Sequence, residues 1–510
     1  MKVPLTIRDH IQRAVLVYGD RDAVVDEPEQ PAGSLGRVTY TRVHELARAQ
    51  AARLDQLGVP QGARVAIVSQ NSARLLIGFY GVSAWGRVYV PINFRLSSDE
   101  ISYIVGHCGA TVLLVDPELV DVVKGIEVDH TFVLGQDDDQ IYLEGVEPQP
   151  WEPDEDATAT INYTSGTTAR PKGVQMTHRN LWVNAATFGW HTGVNDRDVY
   201  LHTLPMFHCN GWGMPYAVTG MGVRHIVLRK VDGVDILERV EAEGVTLLCG
   251  APAVVAMILE AAASWDGPIP GAGTTRIVVA GAPPPSRTIE RVETELGWEF
   301  IQIYGLTETA PLLTINRGRE EWDDLPTNER AGLLSRAGVP ALGVTLTTDE
   351  SGEVLARSNV VLEGYWDNPE ASADALEGGW FHTGDGGFID DGGYLTIADR
   401  KKDVIISGGE NVSSIEVEDS IFSHPAVAEV AVIGVPDEKW GETVIALVVV
   451  TEGSEVTEAE LIEHTRGQLA HYKCPTRIEF REELARTATG KLQKYKLRQP
   501  YWEGRDKQVN

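Results

Sequence analysis

Cysteine is scarce: this 510-residue chain holds four, at Cys108, Cys209, Cys249 and Cys474. They form no paired spacing, which argues against a disulfide scaffold or a zinc cluster and fits a reducing cytoplasm. No uninterrupted apolar run approaches the roughly 20 residues that span a bilayer, so no integral membrane segment is expected; the best, 444–450, has the length of a strand. Met1-Lys2-Val3-Pro4 carries no signal-peptide apolar stretch or cleavage site. Positive charge is also short, with 44 Lys and Arg against 74 Asp and Glu and a formal charge of -30. Such a balance excludes a general binder of nucleic acid or anionic membrane, because both need a basic footprint. No Gly-x-Ser-x-Gly elbow marks a covalent serine, and the 13 histidines include no His-Glu-x-x-His zinc spacing. Internal repeats and long low-complexity tracts are absent as well.

The length calls for two or more domains, and 43% hydrophobic with 23% charged residues is a globular composition. Val43, Leu46, Ala47, Ala51, Leu54 and Leu57 recur at helical spacing and stop at Gly58. The run 63–68 then reads as a strand, 73–85 as a helix closed by Gly86, and 87–92 as a strand. Ser97 and Glu100 form a capping box that opens a helix ending near Gly109, before the strand 111–115. The acidic, proline-bearing stretch 146–156 reads as an exposed connection, with a turn at Asp137-Asp138-Asp139 shortly before it. Strands follow at 157–163, 245–249, 276–280 and 300–303. This alternation predicts α/β layers with largely parallel sheets. Beyond Phe388 the texture changes to short β-rich pieces with glycine-rich turns, then strand-like 427–433 and 444–450. The candidate domain boundary is 398–402.

The most informative stretch is Tyr163-Thr164-Ser165-Gly166-Thr167-Thr168-Ala169-Arg170-Pro171-Lys172-Gly173-Val174. Glycine lets backbone N–H groups approach a polyanion, the hydroxyls add donors, and lysine supplies a compact point charge. It is a loop built for phosphate. It is not the usual P-loop, since Pro171 stands where the second glycine belongs and Gly173 where the magnesium-binding hydroxyl belongs. A second local charge feature lies between Lys473 and Lys507, where ten Lys and Arg face five Asp and Glu. It reads either as a solvated face or as a basic element brought to an anionic substrate, since screening over roughly 8 Å gives local charge more weight than the distant total.

Further motifs follow in order: Gly281-Ala282-Pro283, Tyr304-Gly305-Leu306-Thr307-Glu308-Thr309, His382-Thr383-Gly384-Asp385, Asp399-Arg400-Lys401-Lys402-Asp403, Ser407-Gly408-Gly409-Glu410-Asn411 and Thr487-Ala488-Thr489-Gly490-Lys491. Together the series resembles the adenylate-forming superfamily of acyl-CoA synthetases, peptide-synthetase adenylation domains and luciferases, over nearly the whole chain. The resemblance implies a large N-terminal adenylation domain of layered α/β sheets with a small β-barrel-like subdomain (1–398), a hinge (399–402) and a small mobile α+β C-terminal domain (403–510). It also implies ATP, Mg2+ and CoA as cofactors or co-substrates.

Residue roles follow from that resemblance. A carboxylate attacks the α-phosphorus of ATP only when its repulsion with the triphosphate is neutralised. Thr164, Ser165, Gly166, Thr167, Thr168 and Lys172 would hold the phosphates, Glu308 the magnesium ion, and Thr307 the α-phosphate. Tyr304 would face the adenine, with Gly281, Ala282 and Pro283 along its edge, and Gly305 would belong to the same nucleotide-binding set. Asp385 would accept the ribose hydroxyls, and Arg400 a ribose or phosphate contact opposite. Lys491 is the adenylation lysine of the resemblance and Lys402 its hinge, about which the C-terminal domain rotates between half-reactions. Ser407, Gly408 and Gly409 would let a pantetheine arm pass, a plain glycine-rich turn being the alternative. His208 would stand beside the acyl carboxylate.

The stretch Pro205-Met206-Phe207-His208-Cys209-Asn210-Gly211-Trp212 is similar to the bacterial medium- and long-chain fatty acyl-CoA synthetase branch, in which Trp212 would gate the acyl tunnel. The expectation is therefore an ATP-dependent acyl-CoA ligase for a hydrophobic, medium- to long-chain acid. An aryl-CoA ligase and an adenylate former with a non-CoA acceptor stand as alternatives. Relatives on this branch are often homodimers. Two departures from the family pattern stand out: Ala169 replaces the usual glycine, which would stiffen the phosphate loop, and Ala310-Pro311-Leu312-Leu313 replaces more polar or aromatic residues, which changes the expected pocket lining.

Overall fold

The computed structural model describes residues 1–136, 139–164, 170–400, 404–407, 410–437, 440–486 and 492–503, with the backbone alone at Arg400 and Asn411. Among these, two large sheets carry the N-terminal region. In one, the parallel strands Thr158–Thr164, Val88–Ile92, Arg64–Val68, Ala110–Val115 and His130–Val133 lie side by side. Lys172–Thr177 folds back antiparallel onto Thr158–Thr164. In the other, Glu299–Gly305, Arg276–Val279, Leu247–Gly250, Val199–His202, Arg224–Val227 and Asp22–Val25 run parallel, with antiparallel strands at both edges.

The helix Ala73–Ser83 is buried along its whole length. Its residues share one core with Val65 and Ile67 of the first sheet and Tyr200, Ile301 and Ile303 of the second. A helix buried on every side belongs between layers, which is where it packs. Ser72 caps it by accepting the N–H of Leu75. The helix read from the 3.6-residue spacing spans Tyr40–Gln56 and buries Val43, Leu46, Ala47, Ala51 and Leu54. The Ser97/Glu100 capping box opens Ser98–Cys108, which Gly109 closes in the left-handed conformation.

The β-barrel-like piece takes the form of a four-stranded antiparallel sheet, Val344–Thr348, Glu353–Ser358, Phe381–Ile389 and Leu395–Arg400. A small α+β unit follows, in which Val427–Asp437 and Gly441–Val450 form a long hairpin backed by Ser414–Phe422 and Glu458–Arg466. This α+β unit touches the N-terminal region through Asp419, which accepts the backbone N–H of Ser286 at 3.0 Å, and through Arg287, which donates to the carbonyl of His424. No helix among the described residues is long and apolar enough to cross a membrane.

The stretch 146–156 is not wholly exposed. Trp151 is buried beneath Gly86 and lies 5.0 Å from the ring of His178. An indole of this size recovers enough apolar area to pin an otherwise polar connection. His178 is itself fully buried, its Nδ1 accepting the N–H of Ile7, and burial holds its pKa down to about 4. The free imidazole titrates near ~6.5. Below that pH the unfolded chain takes up a proton that the folded chain refuses, so stability should fall as pH drops from about 6.5 towards 4. Asparagine at position 178 keeps an acceptor for Ile7 and cannot titrate. Melting temperatures across this range should therefore fall less steeply for His178→Asn than for the parent; parallel slopes would assign the acid sensitivity elsewhere.

Candidate active site

Ligands of open α/β sheets gather beyond the carboxyl ends of the strands. Here the ends of both large sheets face one another. Thr164 and Lys172 are paired at the mouth of one hairpin, while Gly281 lies just beyond one strand of the other sheet and Gly305 ends another. Buried amide side chains hold the two sets together. Asn71 donates to the carbonyls of His202, Leu204 and Leu228, and accepts from the N–H of Met206 at 2.8 Å. Asn162 donates to the carbonyl of Phe207 and to Oδ1 of Asn210, whose own Nδ2 reaches Thr160 Oγ1 at 2.8 Å.

What these amides hold is costly backbone. After His208 the chain makes a left-handed turn, with φ of 46° at Cys209, 51° at Asn210, 57° at Gly211, 61° at Trp212 and 74° at Gly213. Each non-glycine residue in that region costs about 1–2 kcal/mol. Such strain persists only where the surroundings over-determine it. The turn is buried throughout, and the Cys209 thiol lies 3.9 Å from the carbonyl of Thr307. Burial, with a smaller push from Glu308, holds the Cys209 pKa well above the usual thiol range, so the group stays protonated and is no nucleophile.

Facing this turn, Gly305 allows a tight fold-back, since a Cβ there would stand 1.5 Å from the carbonyl oxygen of Pro311. The short helical turn Thr307–Thr309 projects from it. Glu308 accepts a hydrogen bond from the Tyr365 hydroxyl at 3.0 Å, and the Lys172 ammonium sits 4.8 Å from the centre of the same ring. Burial first, and the Glu308 charge second, push the Tyr365 pKa up, which keeps its proton available to Glu308. Tyr304 donates to Asp385 Oδ2 at 2.8 Å, so the aromatic ring and the buried carboxylate are fixed as a pair.

Thr164, Lys172, Tyr304 and Gly305 lie at strand ends, Thr307 and Glu308 on a short helical turn, Asp385 within the strand Phe381–Ile389, and His208 and Trp212 at the left-handed turn, with Gly281, Ala282 and Pro283 just beyond the strand Arg276–Val279. Ser407 ends the strand Ile405–Ser407 in the C-terminal unit. Ser165, Gly166, Thr167, Thr168, Lys402, Gly408, Gly409 and Lys491, and the side chain of Arg400, lie outside the described residues.

The model of the AMP-binding enzyme family matches residues 11–366, and that of its C-terminal domain residues 416–491. The chain belongs to the AMP-binding enzyme family. Within it, the chain is an acid–thiol ligase of the acyl- and aryl-CoA ligase group, which works through an acyl-adenylate and uses ATP and CoA. It is 36% identical to 2-methylpropanoate–CoA ligase of Humulus lupulus, over 97% of this chain and 95% of that one. The structure of an anthranilate–CoA ligase in complex with anthranoyl-AMP superposes with a TM-score of 0.87 at 27% identity, covering 98% of this chain and 99% of the other. A fatty acyl-CoA synthetase of Mycobacterium tuberculosis superposes with a TM-score of 0.73 at 32% identity, covering 97% and 98%.

In this AMP-binding enzyme several residues of the site escaped the motif reading. Asn162 adjoins the phosphate loop and could have been found there. Tyr365, 57 residues beyond Glu308, had no such marker. Tyr365→Phe removes only the hydroxyl that steadies Glu308. ATP–pyrophosphate exchange should slow roughly tenfold, the equivalent of about 1.4 kcal/mol, with little change in melting temperature. Exchange at the parent rate would show that Glu308 needs no such partner.

Proposed function

We propose that this ligase activates a compact aliphatic carboxylic acid. In the first half-reaction an oxygen of the acid's carboxylate bonds to the α-phosphorus of ATP while the bond to the β-phosphate bridging oxygen breaks, releasing pyrophosphate. In the second, the CoA sulfur attacks the acyl carbon, the thiol proton is lost, and AMP departs. The observation that carries the substrate reading is Trp212, which stands 5% exposed in the strained turn next to His208 and packs into the main core. A bulky side chain held there by the backbone limits the length of what can lie beside it. The likeness to a 2-methylpropanoate–CoA ligase points the same way.

Residue roles on this reading begin with the phosphates. Lys172, with Thr164 to Thr168, positions the β- and γ-phosphates, and Thr307 donates to the α-phosphate. Tyr304 and Gly281 to Pro283 hold adenine, while Asp385 and Arg400 hold the ribose. No group of three or more metal-ligating side chains occurs among the described residues. That fits Mg2+ carried in on the triphosphate and needing one carboxylate from the protein, Glu308. Such an ion supplies charge neutralisation at the phosphates. Lys491 brings the mobile cation to the α-phosphate, Lys402 is the hinge, and Ser407 to Gly409 line the pantetheine path. All four cysteines are free and buried, which supports a reducing compartment, the cytoplasm.

A medium- or long-chain fatty acid is the second reading, supported by the 32% identical fatty acyl-CoA synthetase and requiring Trp212 to swing aside. Pyrophosphate release and CoA-thioester formation across a panel of straight, branched and aromatic acids separate the readings. Acids of about four to six carbons should give the highest kcat/KM, as a pocket closed by one indole allows; a maximum at twelve carbons or more would install the second reading. Trp212→Gly removes the indole without straining a φ of 61°, and should move the optimum towards longer acids.

Lys491→Ala should cut acyl-adenylate formation by about 100-fold or more, yet leave thioester formation from supplied acyl-AMP close to the parent rate. Equal loss in both halves would refute this division of labour.

A further inference from the structure

Asn184 lies on the helix His178–Thr192, outside every motif of the site, and it is fully buried. Its Nδ2 donates to the carbonyl of Trp212 at 3.2 Å, and its Oδ1 accepts the N–H of Leu312 at 3.1 Å. One partner is an acceptor and the other a donor, so the orientation of the carboxamide is set by its surroundings. One partner closes the left-handed turn that carries His208 and Trp212. The other lies four residues beyond Glu308, on the far side of the fold-back that projects Thr307 and Glu308. One carboxamide therefore joins the two loops. Gly213 seals the arrangement: a Cβ there would stand 2.3 Å from Asn184 Nδ2 and 3.7 Å from the carbonyl oxygen of Ala310.

We propose that Asn184 is a positioning residue, which sets the acid-binding turn against the loop of Thr307 and Glu308 and so fixes where the carboxylate stands relative to the α-phosphate. The inference rests on the reading that the turn His208–Trp212 holds the acid. Its logic is geometric. An attacking oxygen must be held about 3–3.5 Å from its target, and a misplacement near 1 Å is worth on the order of 100-fold in rate. Neither loop can hold that distance alone. The turn is strained, and the Thr307–Thr309 segment is a single short helical turn.

The test uses two variants of the full-length enzyme. Asn184→Asp keeps an acceptor for Leu312 and loses the donor to Trp212. Gly213→Ala leaves Asn184 in place but drives a methyl group into its amide. Both should raise the KM for the acid tenfold or more and lower kcat, while the KM for ATP stays within about twofold, because only the acid side of the site is displaced. A merely structural role would lower the active fraction and leave both KM values alone. The inference is overturned if the acid KM is unchanged in a folded variant, or if the acid and ATP KM values rise together. Should Asn184→Asp fail to fold, Gly213→Ala decides on the same two readouts. Trp212→Gly keeps the two failures apart: an unmoved acid preference there sinks the reading of the turn, whereas a moved preference with silent Asn184 and Gly213 variants sinks this inference alone.

Discussion

Everything at this site depends on holding polar backbone loops together in a place from which water has been excluded. A buried carbonyl or N–H without a partner costs roughly 1–3 kcal/mol, and the loops beyond the strand ends have no ladder to satisfy them. Asn71, Asn162 and Asn184 take that part. Each is a short side chain with a donor and an acceptor at one end, so each can bind two strands of backbone that never pair directly. Because they are buried in the layers below, the loops above inherit the rigidity of the two sheets. The left-handed turn after His208 is tolerable only on that foundation.

The same economy links the C-terminal unit to the rest. Asp399, at the end of the last strand of the antiparallel sheet, accepts the N–H of Ser414 at 3.1 Å. Lys494 donates to Ser414 and pairs with the buried Glu418 at 2.8 Å. Burial raises the Glu418 pKa, and the Lys494 ammonium works against that rise. A chain of polar contacts thus runs from the strand that enters the C-terminal unit to the helix that follows Lys491 in sequence. Asp419, one residue on, faces the N-terminal unit and accepts from Ser286, its own pKa raised by burial. The contacts that Asp419 and Arg287 make between the two units are polar, as is common in interfaces between domains that move relative to one another.

Local patterns made much of the architecture legible. The capping box at Ser97 and Glu100, the amphipathic spacing from Val43 to Leu54 and the strand runs at 63–68 and 276–280 all report on short-range physics, and the elements occur there. The long hairpin Val427–Asp437 with Gly441–Val450 extends beyond its apolar runs, since a ladder between paired strands carries polar ends such as Glu442 and Asp437 along with it. Trp151 was hidden by its acidic neighbours. A single indole does not change the composition of an eleven-residue window, yet it changes where that window lies.

The motifs from Tyr163 to Lys491 carry enough chemistry in one dimension to specify the family, because glycine, hydroxyl, lysine and carboxylate at set spacings reflect what a nucleotide requires of backbone and charge. They could not say which loops meet. The hydrogen bond from Tyr365 to Glu308, the pairing of Tyr304 with Asp385 and the bridge made by Asn184 join residues 57, 81 and 128 positions apart. No periodicity or local propensity relates positions so distant. Only the packing of the two large sheets and the smaller antiparallel sheet against one another brings them within hydrogen-bond reach, and only there does the strain of the turn at Cys209–Gly213 find the partners that sustain it.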